Sequence, residues 1–418
     1  MKHLFCLFLQ LALFTVFIYT SYCQQTQQIN SEVKNIHEAV EKFSLKFFQS
    51  CVDFVDNESN VSKNILISPL SLWLLLVLIR EGAFSNTKDE LDNFLEIKNI
   101  YGFSNDFKDI QNNLTISRND VEVLLGQFLF LNSNTNLNVF YEKLLEQDYG
   151  TKIEQIDFKQ VKQAYDSITS QVQKATKGFI KRALNPLDIA QTNLIIISAL
   201  YFKGQWTSPF NSSNTKTEPF YDESEQQIDT AEMMFQSGVF PYAPIKELES
   251  YVLELPYGED KPLSMIFILP RKGVTLKNVL EILVNFDMEK MYEELRNSEI
   301  DYEDDEVEVH IPKFSFSNDY QFNLLLENMG VRDLFDKTRA NLAMMSQDQI
   351  YLTRLLQKTK IEVNEEGTVA GAITSAQFIN KATPPRFYAN RPFLFLIVNK
   401  ITKTILFTGQ VKNPRLTK

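Results

Sequence analysis

The amino-acid sequence predicts an α+β protein. Segments with helical apolar spacing gather early in the chain, and continuous apolar runs rich in β-formers dominate the rest. No internal repeat, low-complexity linker or break in composition divides the chain after its first residues. With 44% hydrophobic and 23% charged residues, its composition is that of an ordinary globular protein.

The first residues read MKHLFCLFLQLALFTVFIYTSYC. Lys2 and His3 give a positive start, Leu4 to Tyr19 is mostly apolar, and Ser21 and Cys23 are small residues suited to a cleavage site. The run is short for a membrane anchor. Residues 1–23 are therefore expected to be a cleaved signal peptide, leaving residues 24–418 as a single domain of a secreted, extracellular protein. Four Asn-x-Ser/Thr triplets, at Asn57, Asn60, Asn113 and Asn211, then become expected glycan acceptors.

Next, Val33, Ile36, Val40, Phe43, Phe47, Cys51 and Phe54 recur every three or four residues, one face of a long amphipathic helix. Ser68 followed by Pro69 has the form of a helix cap, and the apolar run behind it reads as a helix buried on most sides. Thr87 to Glu90, TKDE, has capping-box spacing and predicts the start of another helix. Val121 to Leu131 and Asn193 to Phe202 read as strands covered on both faces, with a surface helix over Gln160 to Lys174 between them. Further strands are expected at Tyr251–Leu255, Met265–Leu269, Val307–Ile311, Leu355–Val363, Phe393–Asn399 and Thr404–Val411, the last two forming a buried hairpin around KITK.

Cysteine and charge narrow the function. Cys6 and Cys23 leave with the signal, so Cys51 remains alone, without a disulfide partner. A secreted chain without that staple must rely on a large core, and Cys51 is expected to be a buried structural thiol. The net charge of −11 becomes one unit more negative once Lys2 is removed. It argues against binding nucleic acid or an acidic membrane. The acidic run Asp301 to Glu306 reads as a solvated loop. Two separated histidines, His37 and His310, and one cysteine make a zinc site improbable. No Gly-x-Ser-x-Gly and no glycine-rich phosphate loop is present. The chain is not expected to be an enzyme, and no metal or cofactor is implied.

One segment fits neither a core strand nor a solvated loop: NEEGTVAGAITSAQFINKATPP, Asn364 to Pro385. With period two, one face carries Thr368, Ala370, Ala372, Thr374 and Ala376, all small, before Phe378. Glu365, Glu366 and Gly367 precede it as a polar joint, and Gly367 admits backbone angles denied to other residues. No proline lies between Gly367 and Lys381, so every N–H there is able to join a sheet. The segment reads as a strand held in reserve.

From here the chain resembles a serpin, the serine protease inhibitor fold, over its length after the signal. NILISPLSL around Ser68 resembles the start of the family's second helix. ISALYFKGQWTSPF, Ile197 to Phe210, resembles a strand of its main sheet. HIPKFSF, Glu365 to Ala372 (EEGTVAGA), and Arg391 to Pro414 resemble another strand, the reactive-loop hinge and the C-terminal signature. The resemblance implies three β-sheets, about eight or nine helices and an exposed reactive-centre loop at about residues 365–390. It also implies a monomer whose loop is bait. A serine protease cuts the loop, is held as an acyl-enzyme, and is trapped as the loop inserts into the main sheet. The family's loop length places the bait bond fourteen positions after Gly367, at Lys381–Ala382, and lysine there implies a trypsin-like target. Arg386 is the runner-up. Trp206 is similar to the tryptophan under the point of insertion, and Glu365 and Lys313 to a pair that ties the hinge to a neighbouring strand. Where the family commonly has a hydrogen-bonded Asn and His, this chain has Ser198 and Gln357. Two other readings remain: a non-inhibitory serpin serving as a carrier, storage or binding protein, and an inhibitor of cysteine proteases. Thr368, Ala370 and Ala372 carry neither charge nor proline, which favours inhibition. A glycosaminoglycan cofactor is not supported, because Phe103 to Ser117 contains only Lys108 as a base.

Overall fold

A computed structural model describes residues 35–58, 63–114, 121–189, 192–260, 262–301, 306–366 and 384–417. Helix α1, Ile36–Glu58, forms as its spacing predicts. It buries Val40, Phe43, Phe47 and Cys51, and Phe43 and Phe47 stack at 5.6 Å. Burial pushes the Cys51 thiol far above its usual range, so it stays protonated and inert. After the short strand β1, Ile65–Ile67, Ser68 caps helix α2, Pro69–Gly82, by accepting from the Ser71 N–H at 3.4 Å. All of α2 but its last turn is buried, with Trp73 fully enclosed.

TKDE lies in the first turns of a helix as expected, but Thr87 does not cap it. Helix α3 runs Ser85–Phe94, so Thr87 lies inside its first turn, with no side-chain cap. The Thr87 hydroxyl is instead buried and accepts from the Asn341 N–H at 3.0 Å. A long-range partner won over the local one.

The rest of the chain runs α4 (Ser104–Leu114), β2 (Val121–Asn132), α5 (Val139–Asp148), β3 (Ile153–Ile156), α6 (Val161–Ala175), β4 (Leu194–Gly204), β5 (Lys216–Tyr221), β6 (Gln227–Gly238), β7 (Tyr242–Ile245), β8 (Ser250–Tyr257), β9 (Leu263–Pro270), α7 (Leu276–Leu283), α8 (Met288–Asp301), β10 (Val307–Pro312), β11 (Phe314–Gln321), α9 (Asn323–Asn328), β12 (Leu352–Val363), β13 (Arg386–Tyr388), β14 (Phe393–Asn399) and β15 (Thr404–Val411). The described residues thus hold nine α-helices and three sheets. The six-stranded sheet is ordered β1-β15-β14-β9-β8-β7. Every residue of β9, β14 and β15 is buried, and β14–β15 is the expected hairpin. The four-stranded sheet is ordered β13-β10-β6-β5.

The five-stranded sheet is ordered β11-β12-β4-β2-β3. Its neighbours β12 and β4 run parallel, with Gln357 opposite Ser198 and Lys360 opposite Tyr201. Each of the two is antiparallel to its other neighbour, β11 or β2. The last strand of this sheet along the chain is β12, and the next described strand, β13, belongs to a different sheet, where it pairs parallel with β10. Of the loop expected at about residues 365–390, residues 367–383 lie outside the described residues. Arg386 already lies in a paired strand, its Nε donating to Glu308 at 2.7 Å.

Candidate functional site

The β4–β12 seam is held from behind by α2. Ser198 and Gln357 are opposite one another and fully buried, but the hydrogen bonds among them run through the cap of α2. The Ser68 N–H donates to Gln357 Oε1 at 3.0 Å, and Gln357 Nε2 donates to the Ser68 carbonyl at 2.9 Å and to Ser71 Oγ at 3.2 Å. Ser71 Oγ and Ser198 Oγ lie 2.7 Å apart. Ser68 Oγ donates to the Leu406 carbonyl at 2.7 Å, anchoring the cap to the hairpin behind. Gln127 of β2, opposite Ser198, donates from Nε2 to the Ser71 carbonyl at 3.0 Å. A polar row, Gln127, Ser198 and Gln357, thus crosses three strands at one level, and each member is satisfied by α2. Such buried groups hold an element in place only when all are paired.

Ser71 and Gln127 were not singled out from the sequence. A signal exists for each. Ser71 is three residues beyond the cap and so shares its face, and Gln127 is the polar interruption in the apolar run of β2.

At the end of β12, a second set of contacts fixes the start of the reserve segment. Trp206 Nε1 donates to the Asn364 carbonyl at 3.0 Å, and its ring stacks on Tyr257 at 4.4 Å. The Phe210 N–H donates to the Glu365 carbonyl at 3.2 Å. The buried Glu365 carboxylate pairs with Lys313 Nζ at 2.8 Å and accepts from Thr215 Oγ1 at 2.7 Å. Burial pushes the Glu365 carboxyl upward, but the bonds from Lys313 and Thr215 outweigh it and hold its pKa below the usual value. Glu366 is exposed, its N–H donating to Asn364 Oδ1 at 3.0 Å. Backbone and side chain together therefore pin the chain up to Glu366.

Gly367, Thr368, Ala370, Ala372, Thr374, Ala376, Lys381 and Ala382 lie outside the described residues, as does Asn60. Asn57 is exposed at the end of α1, and Asn211 is exposed, its Oδ1 accepting from the Ser213 N–H at 3.0 Å. Asn113 lies in the last turn of α4. His37 is exposed on α1. His310 of β10 lies between Phe235, at 4.7 Å, and Tyr388, at 4.9 Å, and burial depresses its pKa. Among the described residues no group of His, Cys, Asp and Glu is placed to hold a metal ion, and no helix is long and apolar enough to cross a membrane.

Comparison with known proteins places this geometry. The family model described as "Serpin (serine protease inhibitor)" matches residues 38–414. Human Serpin B11 is 33% identical over 384 residues, covering 86% of this chain and 95% of that protein. A leukocyte elastase inhibitor of Xenopus tropicalis is 30% identical, covering 91% and 100%. Among solved structures, Manduca sexta serpin-12 superposes with a TM-score of 0.77 at 23% identity, over 91% of this chain and 99% of that one. Native protease nexin-1, solved with heparin, gives 0.76 at 26% identity, over 91% and 100%. The chain belongs to the serpin family, and it is a protease inhibitor and not a protease.

Proposed function

We propose that this protein is a secreted suicide substrate that traps a trypsin-like serine endopeptidase after cleavage at Lys381–Ala382. The observation that carries the reading is the parallel pairing of β4 and β12, with the reserve segment joined directly to the end of β12. A segment that turns back from that end runs antiparallel to β12, and hence antiparallel to β4 as well. One parallel pairing, the weaker kind, is exchanged for two antiparallel ones. The face Thr368, Ala370, Ala372, Thr374 and Ala376 offers no bulky side chain to obstruct this exchange.

In the reaction, the protease serine Oγ attacks the Lys381 carbonyl carbon. The C–N bond to Ala382 breaks, the new amine takes a proton, and an ester links enzyme to Lys381. Water would normally hydrolyse that ester. Insertion moves the ester away from Ala382 and distorts the enzyme before water acts. Lysine suits a specificity pocket that carries a carboxylate. The apolar start and the sequons support secretion and glycosylation.

The test is to mix the purified protein with trypsin and run a denaturing gel. A covalent band at the summed mass less the fragment that begins at Ala382, with Lys381 at the junction, is expected. Cleavage after Lys381 without that band would refute the inhibitory reading. Secretion has its own check: the first residue of the protein recovered from medium is expected to be Gln24, and an uncleaved Met1 would contradict it.

A further inference from the structure

The front of the β4–β12 seam carries a feature that neither the bait loop nor the polar row behind it explains. Helix α6 ends at Ala175. Thr176 then closes the helix, and Lys177 and Gly178 take positive φ angles of 48° and 81°. That turn delivers Phe179 onto the sheet, where its ring stacks on Tyr201 of β4 at 3.8 Å with the planes 10° apart. Lys360 of β12, the register partner of Tyr201, places Nζ 5.7 Å from the centre of the Phe179 ring and 5.9 Å from that of Tyr201. The stack therefore belongs to β4 and the α6 turn, and the cation belongs to β12.

The same seam is covered further along by an apolar patch. Ile168, Val172 and Ile180 from α6 and its turn pack with Ile195, Ile197 and Ala199 of β4 and with Leu356 of β12. Lys177 pairs with Glu122 of β2 and so fixes the turn to the side of the sheet that includes β4. When β4 and β12 part, the α6 turn is thus held by β2 and β4, and Lys360 must leave the rings.

We propose that Phe179, Tyr201 and Lys360 form a cation–π clasp across the seam that sets how readily β4 and β12 separate to admit a strand. The proposal rests on the insertion reading above. A cation over an aromatic face contributes enough to change an opening rate by roughly two- to thirtyfold, depending on how far the site is shielded from water. These are positioning residues, acting on the strand seam and not on the bait bond.

The test follows uptake of a synthetic peptide copying Thr368–Lys381 into the intact, uncut protein, beside the trypsin gel. Phe179→Leu and Lys360→Gln are each expected to speed uptake by a few-fold or more, and Lys360→Arg to stay close to the parent. The double variant is expected to be no faster than the faster single one, because both remove the same contact. Additive effects would indicate mere local loosening and would overturn the clasp, as would unchanged uptake rates in both single variants. Far-UV circular dichroism and parental trypsin-complex formation in Lys360→Arg show that the fold is kept. The two readings fail separately. Cleavage of the parent without a covalent band defeats insertion, whereas a normal covalent band with uptake rates indifferent to Phe179 and Lys360 defeats only the clasp.

Discussion

Gln357→Ala is the sharpest probe of the polar row behind the seam. Gln357 is fully buried and makes three hydrogen bonds, accepting from the Ser68 N–H at 3.0 Å and donating to the Ser68 carbonyl at 2.9 Å and Ser71 Oγ at 3.2 Å. The Ser68 carbonyl keeps a second donor in Ser71 Oγ, at 3.2 Å, and Ser71 Oγ keeps Ser198. The Ser68 N–H loses its partner in a dry site, at a cost of about 1–3 kcal/mol. The vacated amide volume adds about 1 kcal/mol where α2 does not collapse onto the sheet. A loss of roughly 3 kcal/mol is therefore expected, a large part of the roughly 5–15 kcal/mol that holds a protein of ordinary stability. Ser198→Ala removes a single hydroxyl and is expected to cost about 1 kcal/mol. Urea unfolding measures both, and a native gel after mild heating reports self-association through an opened sheet. A loss below about 1 kcal/mol for Gln357→Ala, or equal losses for the two variants, would refute the view that α2 closes the seam through Gln357.

Further outcomes follow from the charges and the insertion step. Lys313→Ala is expected to cost about 1 kcal/mol near neutral pH, since Lys313 is 39% exposed and its pair with Glu365 is partly screened. The Glu365 pKa is lowered from 4.5, so its contribution is complete above that pH and fades as pH falls through the lower folded value. Thermal unfolding of Lys313→Ala and parent is thus expected to converge in acid, and a constant gap would contradict the pair. Glu41 behaves oppositely. Burial, then Glu289, Asp287 and Glu38, push its pKa to about 7, with Lys403 opposing. The folded state therefore holds that proton more tightly, and stability is lost as pH rises from 4.5 through about 7. Glu41→Gln is expected to raise the melting temperature at about pH 8 by the equivalent of about 1–3 kcal/mol and to leave it unchanged near pH 4; a gain independent of pH would refute this. Thr368→Arg is expected to turn the inhibitor into a substrate, because insertion would bury a charge. Undiminished covalent trapping on a denaturing gel would contradict that.

The fold was legible where apolar patterning is strong. Long runs such as Val121–Leu131 and Phe393–Asn399 are strands covered on both faces, the second fully buried and the first buried or half-buried along its length, and α1 declared itself by its spacing. Strands such as β5, with most residues exposed or half-buried, and β7, of four residues, carry too few apolar side chains to show against their surroundings. Thr87 misled because its hydroxyl satisfies Asn341, far away in sequence, and not its own helix. At the site, Ser198 and Gln357 were visible as polar residues in buried strands. Their connection through Ser71 was not, because it depends on how α2 lies behind the sheet. Lys360 looks like any strand lysine until the α6 turn brings Phe179 over it.

The most direct measurement is the fate of Lys381. The intact protein and its Lys381→Ala variant are mixed with trypsin, resolved on a denaturing gel, and the junction of any covalent band is read by mass spectrometry. The account predicts an acyl-enzyme ester at Lys381 in the parent, a released fragment beginning at Ala382, and no trypsin complex in Lys381→Ala. A parent that is cut at Lys381 and sets trypsin free, or a variant that traps trypsin as well as the parent does, would contradict it.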